Sequence, residues 1–280
     1  MTKFLLNNFI IEEHIKSALK EDIGFGDIST DFLCSENDKI KANLNTRENG
    51  ILSGIDVFCM VFKILNPDIK IKTFFKDGDE IKKGDKIAEI EGSARGVLTG
   101  ERTALNYIQR MSGIATETNK YKKAIEPYNA KIADTRKTTP NFRLFEKYSV
   151  KVGGGALHRF NLSDCVMLKD NHISFAGSIE NAVKKVRENI SHAHKIEVEC
   201  DTKEQVKQAL DAGADIIMLD NMNIEDMKFC VKMIDKKAIV EASGNVKLDT
   251  INEIASTGVD IISSSAIVAK ANTLDIALDM

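Results

Sequence analysis

Short apolar segments separated by amphipathic ones dominate the chain from residue 131 to residue 262. The apolar segments are 131–133, 165–168, 196–198, 216–219, 239–240 and 261–262. The amphipathic segments are 178–189, 202–212, 223–234 and 247–257. Strands of a parallel sheet are buried on both faces and largely apolar, and helices connect them. The alternation therefore predicts an α/β fold built on a parallel sheet of about six strands.

Polar residues in this half of the chain follow the predicted strands closely. They are Asp134, Thr135, Arg136, Lys137, Lys169, Asp170, Asn171, His172, Glu199, Asp220, Asn221, Ser243, Gly244, Asn245, Ser263, Ser264 and Ser265. In a barrel the carboxyl ends of all strands converge on one mouth, where such folds place their chemistry. In an open doubly wound sheet only the strands beside the switch point would gather. The polar residues that follow the predicted strands therefore favour an incomplete, roughly six-stranded α/β barrel.

Residues 40–92 have a different pattern, in which short alternating segments are separated by turn signals such as Asp77-Gly78 and Lys83-Gly84. After Thr103, apolar residues recur at helical spacing, so a long helix leads out of this region. The sequence therefore predicts an N-terminal α+β sandwich domain over residues 1–108 and a barrel domain over residues 109–280.

The charge balance and the cysteines exclude some classes of partner. The formal net charge is −3, from 39 Lys and Arg against 42 Asp and Glu, so no global field attracts nucleic acid or an anionic membrane. The five cysteines are scattered without metal-ligand spacing, which suits a reducing cytosol. The N-terminal apolar cluster is interrupted by Asn7 and Asn8, unlike a signal peptide or a membrane helix. We expect a cytoplasmic protein that binds neither nucleic acid nor membranes.

Basic residues are concentrated at the predicted mouth. They are Arg136, Lys137, His158, Arg159 and Lys169, with Arg102 entering from the preceding helix. Arginine forks bind carboxylates and phosphates through two parallel hydrogen bonds, whereas lysine supplies a compact charge. Any one of these residues could instead pair with an acid such as Asp134, Asp164 or Asp170. The whole set in one pocket favours a substrate with more than one negative group.

Acidic and serine-rich segments share the same mouth. Glu199 and Asp220 end adjacent predicted strands and could hold Mg²⁺ directly or through water, although a single acid at such a position is more often a helix cap or an ion-pair partner. The last two strands are followed by small residues, where barrels commonly bind phosphate, although serine-rich turns also occur without ligands. The predicted phosphate-binding residues are Ser243, Gly244, Asn245, Ser264, Ser265 and Ala266.

At these residues the chain resembles the quinolinate phosphoribosyltransferases, and the likeness runs nearly from end to end. The matching segments are 21–30, 100–106, 112–116, 134–140, 153–155, 158–159, 169–172, residue 199 and 219–221. The resemblance implies a homodimer in which Arg102 reaches the neighbouring subunit's site. It also implies decarboxylating phosphoribosyl transfer in de novo NAD biosynthesis, in which quinolinate and phosphoribosyl pyrophosphate give nicotinate mononucleotide, pyrophosphate and CO₂ with Mg²⁺.

The resemblance also implies roles for single residues. Arg136, His158 and Arg159 would hold the two quinolinate carboxylates with help from Lys169, in a substrate site that includes Thr135. Arg102 and Lys137 would balance further negative charge. Glu199 and Asp220 would serve Mg²⁺ and the ribose hydroxyls, and together with Lys169 they form the expected catalytic set. The serine loops would bind the 5′-phosphate, although Ser265 stands where the family usually has glycine.

Three other interpretations compete with this one. A related protein encoded beside molybdate transporters shares several of the motifs, but the Lys169–His172 segment favours the quinolinate enzyme. A barrel aldolase or decarboxylase would use Lys169 as a Schiff base. A binding or regulatory protein without activity could be built on the same barrel, although Glu199, Asp220 and Lys169 are all present.

Overall fold

The computed structural model describes residues 6–280, and the chain forms two compact units. The first contains the residues up to 119 together with 139–154 and 271–280, and the second contains 120–138 and 155–270. The predicted boundary at residue 108 falls within one long helix. The chain passes between the units several times, whereas the sequence-based division had a single boundary.

The elements up to residue 124 are mostly short. The helices are α1 (Asn8–Ile23), α2 (Ile28–Leu33), α3 (Ile55–Leu65) and α4 (Ala94–Ala124). The strands are β1 (Lys39–Thr46), β2 (Gly50–Ile51), β3 (Lys70–Thr73), β4 (Glu80–Ile81) and β5 (Lys86–Ser93).

Beyond residue 124, strands and helices mostly alternate. The strands are β6 (Lys131–Ala133), β7 (Val166–Leu168), β8 (Ile196–Cys200), β9 (Ile216–Asp220), β10 (Ile239–Ser243), β11 (Ile261–Ser263) and β12 (Ile276–Asp279). The helices are α5 (Arg143–Val152), α6 (Asp170–Ala176), α7 (Ile179–Arg187), α8 (Lys203–Asp211), α9 (Ile224–Ile234), α10 (Ile251–Ala255) and α11 (Ala266–Ala269). None of the helices in the described part of the chain has the length and apolar character of a bilayer span.

An antiparallel sheet of order β12-β1-β5-β3 organises the first unit. The predicted strand region of residues 40–92 supplies three of its strands, and the fourth comes from the other end of the chain. Leu44 of β1 lies opposite Leu278 of β12, and both are buried. The predicted domain division did not include this return of the chain to the first sheet.

The C-terminal segment packs closely against α4 within the first unit. A Cβ atom at Gly113 would lie 1.9 Å from the carbonyl oxygen of Asn272, so only glycine fits there. Four residues earlier, the Gln109 carbonyl accepts a hydrogen bond of 3.0 Å from the Leu274 N–H. These contacts hold the backbone on its way to β12.

A six-stranded parallel sheet of order β6-β11-β10-β9-β8-β7 forms the second unit. All six predicted strands are present, which confirms the incomplete α/β barrel. Three of the predicted helices begin at side-chain caps, because Ser178, Thr202 and Asn223 each accept a backbone N–H from the first turn. The fourth predicted segment, 247–257, contains only the short helix α10.

Residues 155–165 connect the two edge strands of this sheet. On one side, the Ala156 N–H donates to the Ile132 carbonyl of β6 at 2.7 Å. On the other side, Nη1 of Arg159 donates to the carbonyl of Cys165, just before β7, at 2.8 Å. The segment that carries His158 and Arg159 therefore begins beside the edge strand β6 and leads into the other edge strand, β7.

Candidate active site

The carboxyl ends of the parallel strands surround a cavity of about 260 Å³. Eight residues predicted for the site line this cavity together. They are Thr135, Arg136, Lys137, His158, Arg159, Lys169, Glu199 and Ser243. Their convergence follows from the fold, because parallel strands of a barrel all end at one mouth.

Three further residues line the cavity, of which the sequence analysis had placed only Ser263 at the mouth. Met167 and Met218 precede Lys169 and Asp220 by two positions, and Ser263 ends β11. Side chains two apart on a strand point to the same side. The period of two could therefore have placed both methionines beneath the polar mouth, where they supply an apolar surface to the cavity.

Asp134 fixes the segment that carries His158. Its side chain is fully buried, and its Oδ1 accepts a hydrogen bond of 2.8 Å from the backbone N–H of His158. The sequence suggested Asp134 only as an ion-pair partner for a basic residue. In the structure it links the end of β6 to the segment between the edge strands.

The ring of His158 faces other protein groups through both nitrogens. Nδ1 lies 2.8 Å from the backbone N–H of Arg159. Nε2 lies 3.3 Å from a carboxylate oxygen of Glu197 and 3.5 Å from one of Glu241. His158 therefore lines the cavity with a ring whose polar atoms already have partners.

Lys169 is held at the end of β7 by two contacts. Its ammonium forms an ion pair with Glu199 on the adjacent strand β8. Its backbone N–H donates to Nδ1 of His172 at 3.0 Å, so His172 caps the start of α6. The Lys169 side chain is 44% exposed and the Glu199 side chain 18% exposed, so the ion pair is accessible from the cavity.

Asp220 lies beside this pair at the end of β9, although it does not line the cavity itself. Burial raises its pKa above the usual range of a carboxyl group, and the nearby negative charges of Glu199 and Asp201 add to the effect. Like charges held close together favour the binding of a cation. Oxygen donors of this kind suit Mg²⁺.

The two predicted phosphate loops differ in how much of their backbone is engaged. After β10, Gly244 has a φ of +91°, and a Cβ atom there would lie 2.2 Å from Oδ1 of Asn221. After β11, the N–H of Ser264 donates to the Ala133 carbonyl, and that of Ala266 donates to Oγ of Ser264. The hydroxyl of Ser264 also donates to the Val246 carbonyl at 3.4 Å, so both its amide and its hydroxyl have partners within the protein.

Two buried glutamates inside the barrel were missed by the sequence analysis. Glu197 of β8 is 1% exposed and Glu241 of β10 is 4% exposed. The described part of the chain contains one group of three His, Cys, Asp or Glu residues whose ligand atoms lie close enough together to hold a metal ion. It consists of these two glutamates and His158. A charged residue inside an apolar strand, as in the Ile196–Cys200 segment, is the signal that could have identified them.

Arg102 is exposed on α4 in the first unit. Its predicted place in a neighbouring subunit's site stays a prediction, since only one chain is described.

Two family models together match most of the chain. The model of the quinolinate phosphoribosyl transferase N-terminal domain matches residues 27–112, and that of the C-terminal domain matches residues 114–279. The junction between these matches lies close to the predicted boundary at residue 108.

Curated relatives and solved structures agree with these models. A probable nicotinate-nucleotide pyrophosphorylase (carboxylating) of Methanothermobacter thermautotrophicus is 40% identical and covers 95% of this chain and 97% of its own length. A protein of the same name from Bacillus subtilis is 40% identical over 99% of this chain and 93% of its own length. The crystal structure of NadC from Streptococcus pyogenes superposes with a TM-score of 0.95 at 41% identity, covering 98% of this chain and 97% of that one.

Proposed function

The chain belongs to the quinolinate phosphoribosyltransferase family, and on this premise we propose that it transfers a phosphoribosyl group to quinolinate with loss of a carboxylate. The substrates are quinolinate and phosphoribosyl pyrophosphate, and the products are nicotinate mononucleotide, pyrophosphate and CO₂. The reaction is a pentosyl transfer of de novo NAD biosynthesis.

The convergence of cationic side chains on one small cavity carries the proposal. Arg136, Lys137, Arg159 and Lys169 all line a space of about 260 Å³. Quinolinate bears two adjacent carboxylates, so it supplies negative charge to more than one of these side chains at once. A guanidinium binds a carboxylate in a fixed plane, which would orient the pyridine ring.

The bond changes require no protein nucleophile. Departure of pyrophosphate leaves positive charge on the ribose C1, and the carboxylates of Glu199 and Asp220 stabilise that charge. The pyridine nitrogen then attacks C1, and the ring becomes cationic. The cationic nitrogen stabilises the electron pair left on the adjacent ring carbon when its carboxylate leaves as CO₂, and that carbon then takes up a proton from water. The protein positions the two substrates and supplies the electrostatic field.

We assign Glu199 and Asp220 as the residues that would hold Mg²⁺, directly or through water. Both offer carboxylate oxygens at the ends of adjacent strands. Burial raises the pKa of Asp220, and the negative charges of Glu199 and Asp201, which a cation would compensate, raise it further. Bound there, Mg²⁺ would neutralise the pyrophosphate leaving group. Lys169 holds Glu199 in position, and its ammonium lies close enough to the cavity to contribute positive charge to the leaving group.

The remaining assignments concern the phosphate and the oligomer. We assign the 5′-phosphate to the loops after β10 and β11, which contain Ser243, Gly244, Asn245, Ser264, Ser265 and Ala266. Small residues there support close approach of an anion to the backbone. We also propose a cytoplasmic homodimer in which the exposed Arg102 completes the neighbouring site.

Turnover of defined substrates tests the function. Purified protein would be incubated with quinolinate, phosphoribosyl pyrophosphate and Mg²⁺, and both nicotinate mononucleotide and CO₂ would be quantified. We expect the two products in equal amounts, and no product from the Arg136→Ala variant. Nicotinate, which has one carboxylate, is the matched substrate control and should react far more slowly. Consumption of another cyclic carboxylate instead of quinolinate would overturn the substrate assignment.

The alternative enzyme class is disfavoured by one contact. A Schiff-base mechanism needs Lys169 as an amine nucleophile, whereas its ammonium is engaged in an ion pair with Glu199. Borohydride treatment in the presence of substrate would trap a covalent adduct if that mechanism operated. Mass spectrometry of the treated protein should show the unmodified mass.

A further inference from the structure

The ring of His158 lies against two buried glutamates, Glu197 of β8 and Glu241 of β10. We propose that Glu197 and Glu241 are positioning residues for His158: Glu197 accepts the Nε2–H, Glu241 lies against the same N–H, and together they fix the neutral tautomer whose Nδ1 accepts from the Arg159 backbone. The statement about the ring is independent of the reaction. Its consequence for quinolinate binding rests on the proposed function.

The distances support a hydrogen bond from Nε2 to Glu197, with the Glu241 carboxyl group close beside it. Nε2 lies 3.3 and 3.4 Å from the two carboxylate oxygens of Glu197. It lies 3.5 Å from Oε1 of Glu241. All three side chains are largely buried, since that of His158 is 9% exposed and those of the glutamates are less exposed still. A buried N–H between carboxylates is a donor with strong acceptors.

The contact at Nδ1 determines which nitrogen of the His158 ring carries the proton. The Arg159 N–H points at Nδ1 from 2.8 Å, and an amide N–H can only donate. Nδ1 must therefore present its lone pair. The proton of the neutral ring then belongs to Nε2, where Glu197 accepts it. A doubly protonated ring would place two N–H groups against each other.

The same contact excludes a metal ion as the occupant of this cluster. The ligand atoms of His158, Glu197 and Glu241 lie within 4.8 Å of one another, which by distance alone would suit a metal. Metal binding through Nε2 of a neutral imidazole leaves the proton on Nδ1, as a donor. Because Nδ1 accepts from Arg159, the cluster is a hydrogen-bonded one.

Glu241 is the member of the pair that can carry a proton near neutral pH. Burial raises its pKa to about 7, and the adjacent Glu197 carboxylate adds to the effect. The groups facing it are Glu197 from β8, His158 from the segment after α5, Ser263 from β11 and Asp134 at the end of β6. The Oε1 atom of Glu241 and the hydroxyl of Ser263, both buried, lack a well-formed hydrogen bond. A proton on Glu241 limits the repulsion between the two carboxyl groups.

This arrangement changes the role expected of His158. A neutral ring with both nitrogens engaged adds no positive charge for a quinolinate carboxylate, contrary to the role implied by the resemblance. Instead it fixes the backbone from which the Arg159 guanidinium extends along the cavity. The positive charge in this part of the cavity therefore comes from Arg159.

Nitrogen NMR of ring-labelled histidine tests the tautomer without any substrate. Protein with ¹⁵N in its histidine rings would be recorded at several pH values between 6 and 8, and His158→Gln would identify the His158 signals. We expect the pattern of a ring protonated at Nε2 alone, unchanged across this range. The exposed ring of His192 serves as a solvent-accessible reference. Protonation of Nδ1 at neutral pH would overturn the proposal.

Two double variants then separate hydrogen bonding from charge. Glu197→Leu/Glu241→Leu removes every acceptor of Nε2–H, while Glu197→Gln/Glu241→Gln removes the charge and keeps a carbonyl acceptor at each position. We expect the leucine pair to raise the KM for quinolinate by about tenfold or more, the scale of one lost hydrogen bond to a charged group. The KM for phosphoribosyl pyrophosphate should change by less than about twofold, because that substrate does not depend on Arg159.

The glutamine pair should restore the KM for quinolinate and the histidine spectrum. If both double variants behave alike, the positioning role is wrong. Equal changes in both KM values together with a lower melting temperature would show a merely structural role. Should the wild-type protein convert no quinolinate, the proposed function fails while the NMR spectrum still decides the tautomer.

Discussion

The ammonium of Lys169 and the carboxylate of Glu199 form an ion pair across the adjacent strands β7 and β8. Replacing Lys169 with alanine leaves Glu199 without its partner and removes a positive charge from the mouth. We expect kcat/KM to fall on the order of 10²-fold, the usual effect of losing one preorganised electrostatic contact. Steady-state kinetics with both substrates would measure it.

Lys228 provides the matched control for this variant. It lies on α9, and its ammonium forms an ion pair with Glu225 on the surface. Lys228→Ala should leave kcat/KM within about twofold of the wild type, as expected for a surface substitution away from the site. A comparable loss in both variants would show that Lys169 acts only through the net charge of the barrel.

Replacing Arg159 with lysine keeps the charge and removes the planar fork. Nη1 of Arg159 also donates to the Cys165 carbonyl, a contact that fixes the direction of the side chain. Because lysine cannot make both contacts, we expect the KM for quinolinate to rise by about tenfold or more. Isothermal calorimetry with quinolinate would report the same change in affinity. Arg187→Lys, which alters an ion pair with Asp215 on the surface, should bind quinolinate normally.

The Glu241→Gln variant should change how stability depends on pH. The folded-state pKa of Glu241 is raised from 4.5 to about 7, so the folded protein retains a proton that the unfolded chain releases within that window. Stability from this group is therefore lost as the pH rises from about 4.5 to about 7. Glutamine removes the effect, so the variant should gain on the order of 2 kcal/mol relative to the wild type between pH 5 and pH 8. Urea unfolding at both pH values measures this gain, and an unchanged difference would contradict it.

Mg²⁺ should stabilise the wild-type protein through Asp220. The raised pKa of this carboxyl reflects burial and the like charges of Glu199 and Asp201, which a bound cation would compensate. We expect millimolar Mg²⁺ to raise the melting temperature by on the order of 2 °C and to raise that of Asp220→Asn by much less. Thermal unfolding of both proteins with and without the ion is the measurement. Equal shifts would place the cation elsewhere.

Gly244 should tolerate no side chain. Its φ of +91° disfavours other residues, and a Cβ atom would lie 2.2 Å from the Asn221 side chain. We expect Gly244→Ala to cost about 2 kcal/mol or more of unfolding free energy and to raise the KM for phosphoribosyl pyrophosphate. Gly213 has a φ of +76° with nothing within 4 Å of an added Cβ, so Gly213→Ala isolates the backbone cost. The difference between the variants measures the contact with Asn221.

Most of the residues that sequence analysis placed at the mouth lie directly after an apolar strand, whereas His158 and Arg159 lie in a connecting segment and Arg102 lies on a helix. Lys169 and Glu199 were found in this way, because parallel strand ends converge whatever the lengths of the helices between them. Glu197 and Glu241 were missed, since they lie inside the strands and not after them. Strand periodicity gives the side on which a residue lies, but the partner that compensates a buried charge is known only once the barrel has formed.

The strand β12 was missed for a related reason. Its few apolar residues, including Ile276 and Leu278, fit either a helix or a strand, and nothing local in them specifies pairing with β1. The tautomer of His158 was equally beyond sequence reasoning, because it depends on the Arg159 amide and two acids from separate strands.

The pairing of β1 with β12 has a consequence for synthesis of the chain on the ribosome. The strand that completes the edge beside β1 is made only after the entire second unit, so β1 has one exposed edge while translation continues. The parallel barrel, whose strands are complete by residue 263, can fold first. The first sheet then closes only after β12 has been synthesised, and a nascent chain stalled before residue 276 would present an open strand edge that favours aggregation.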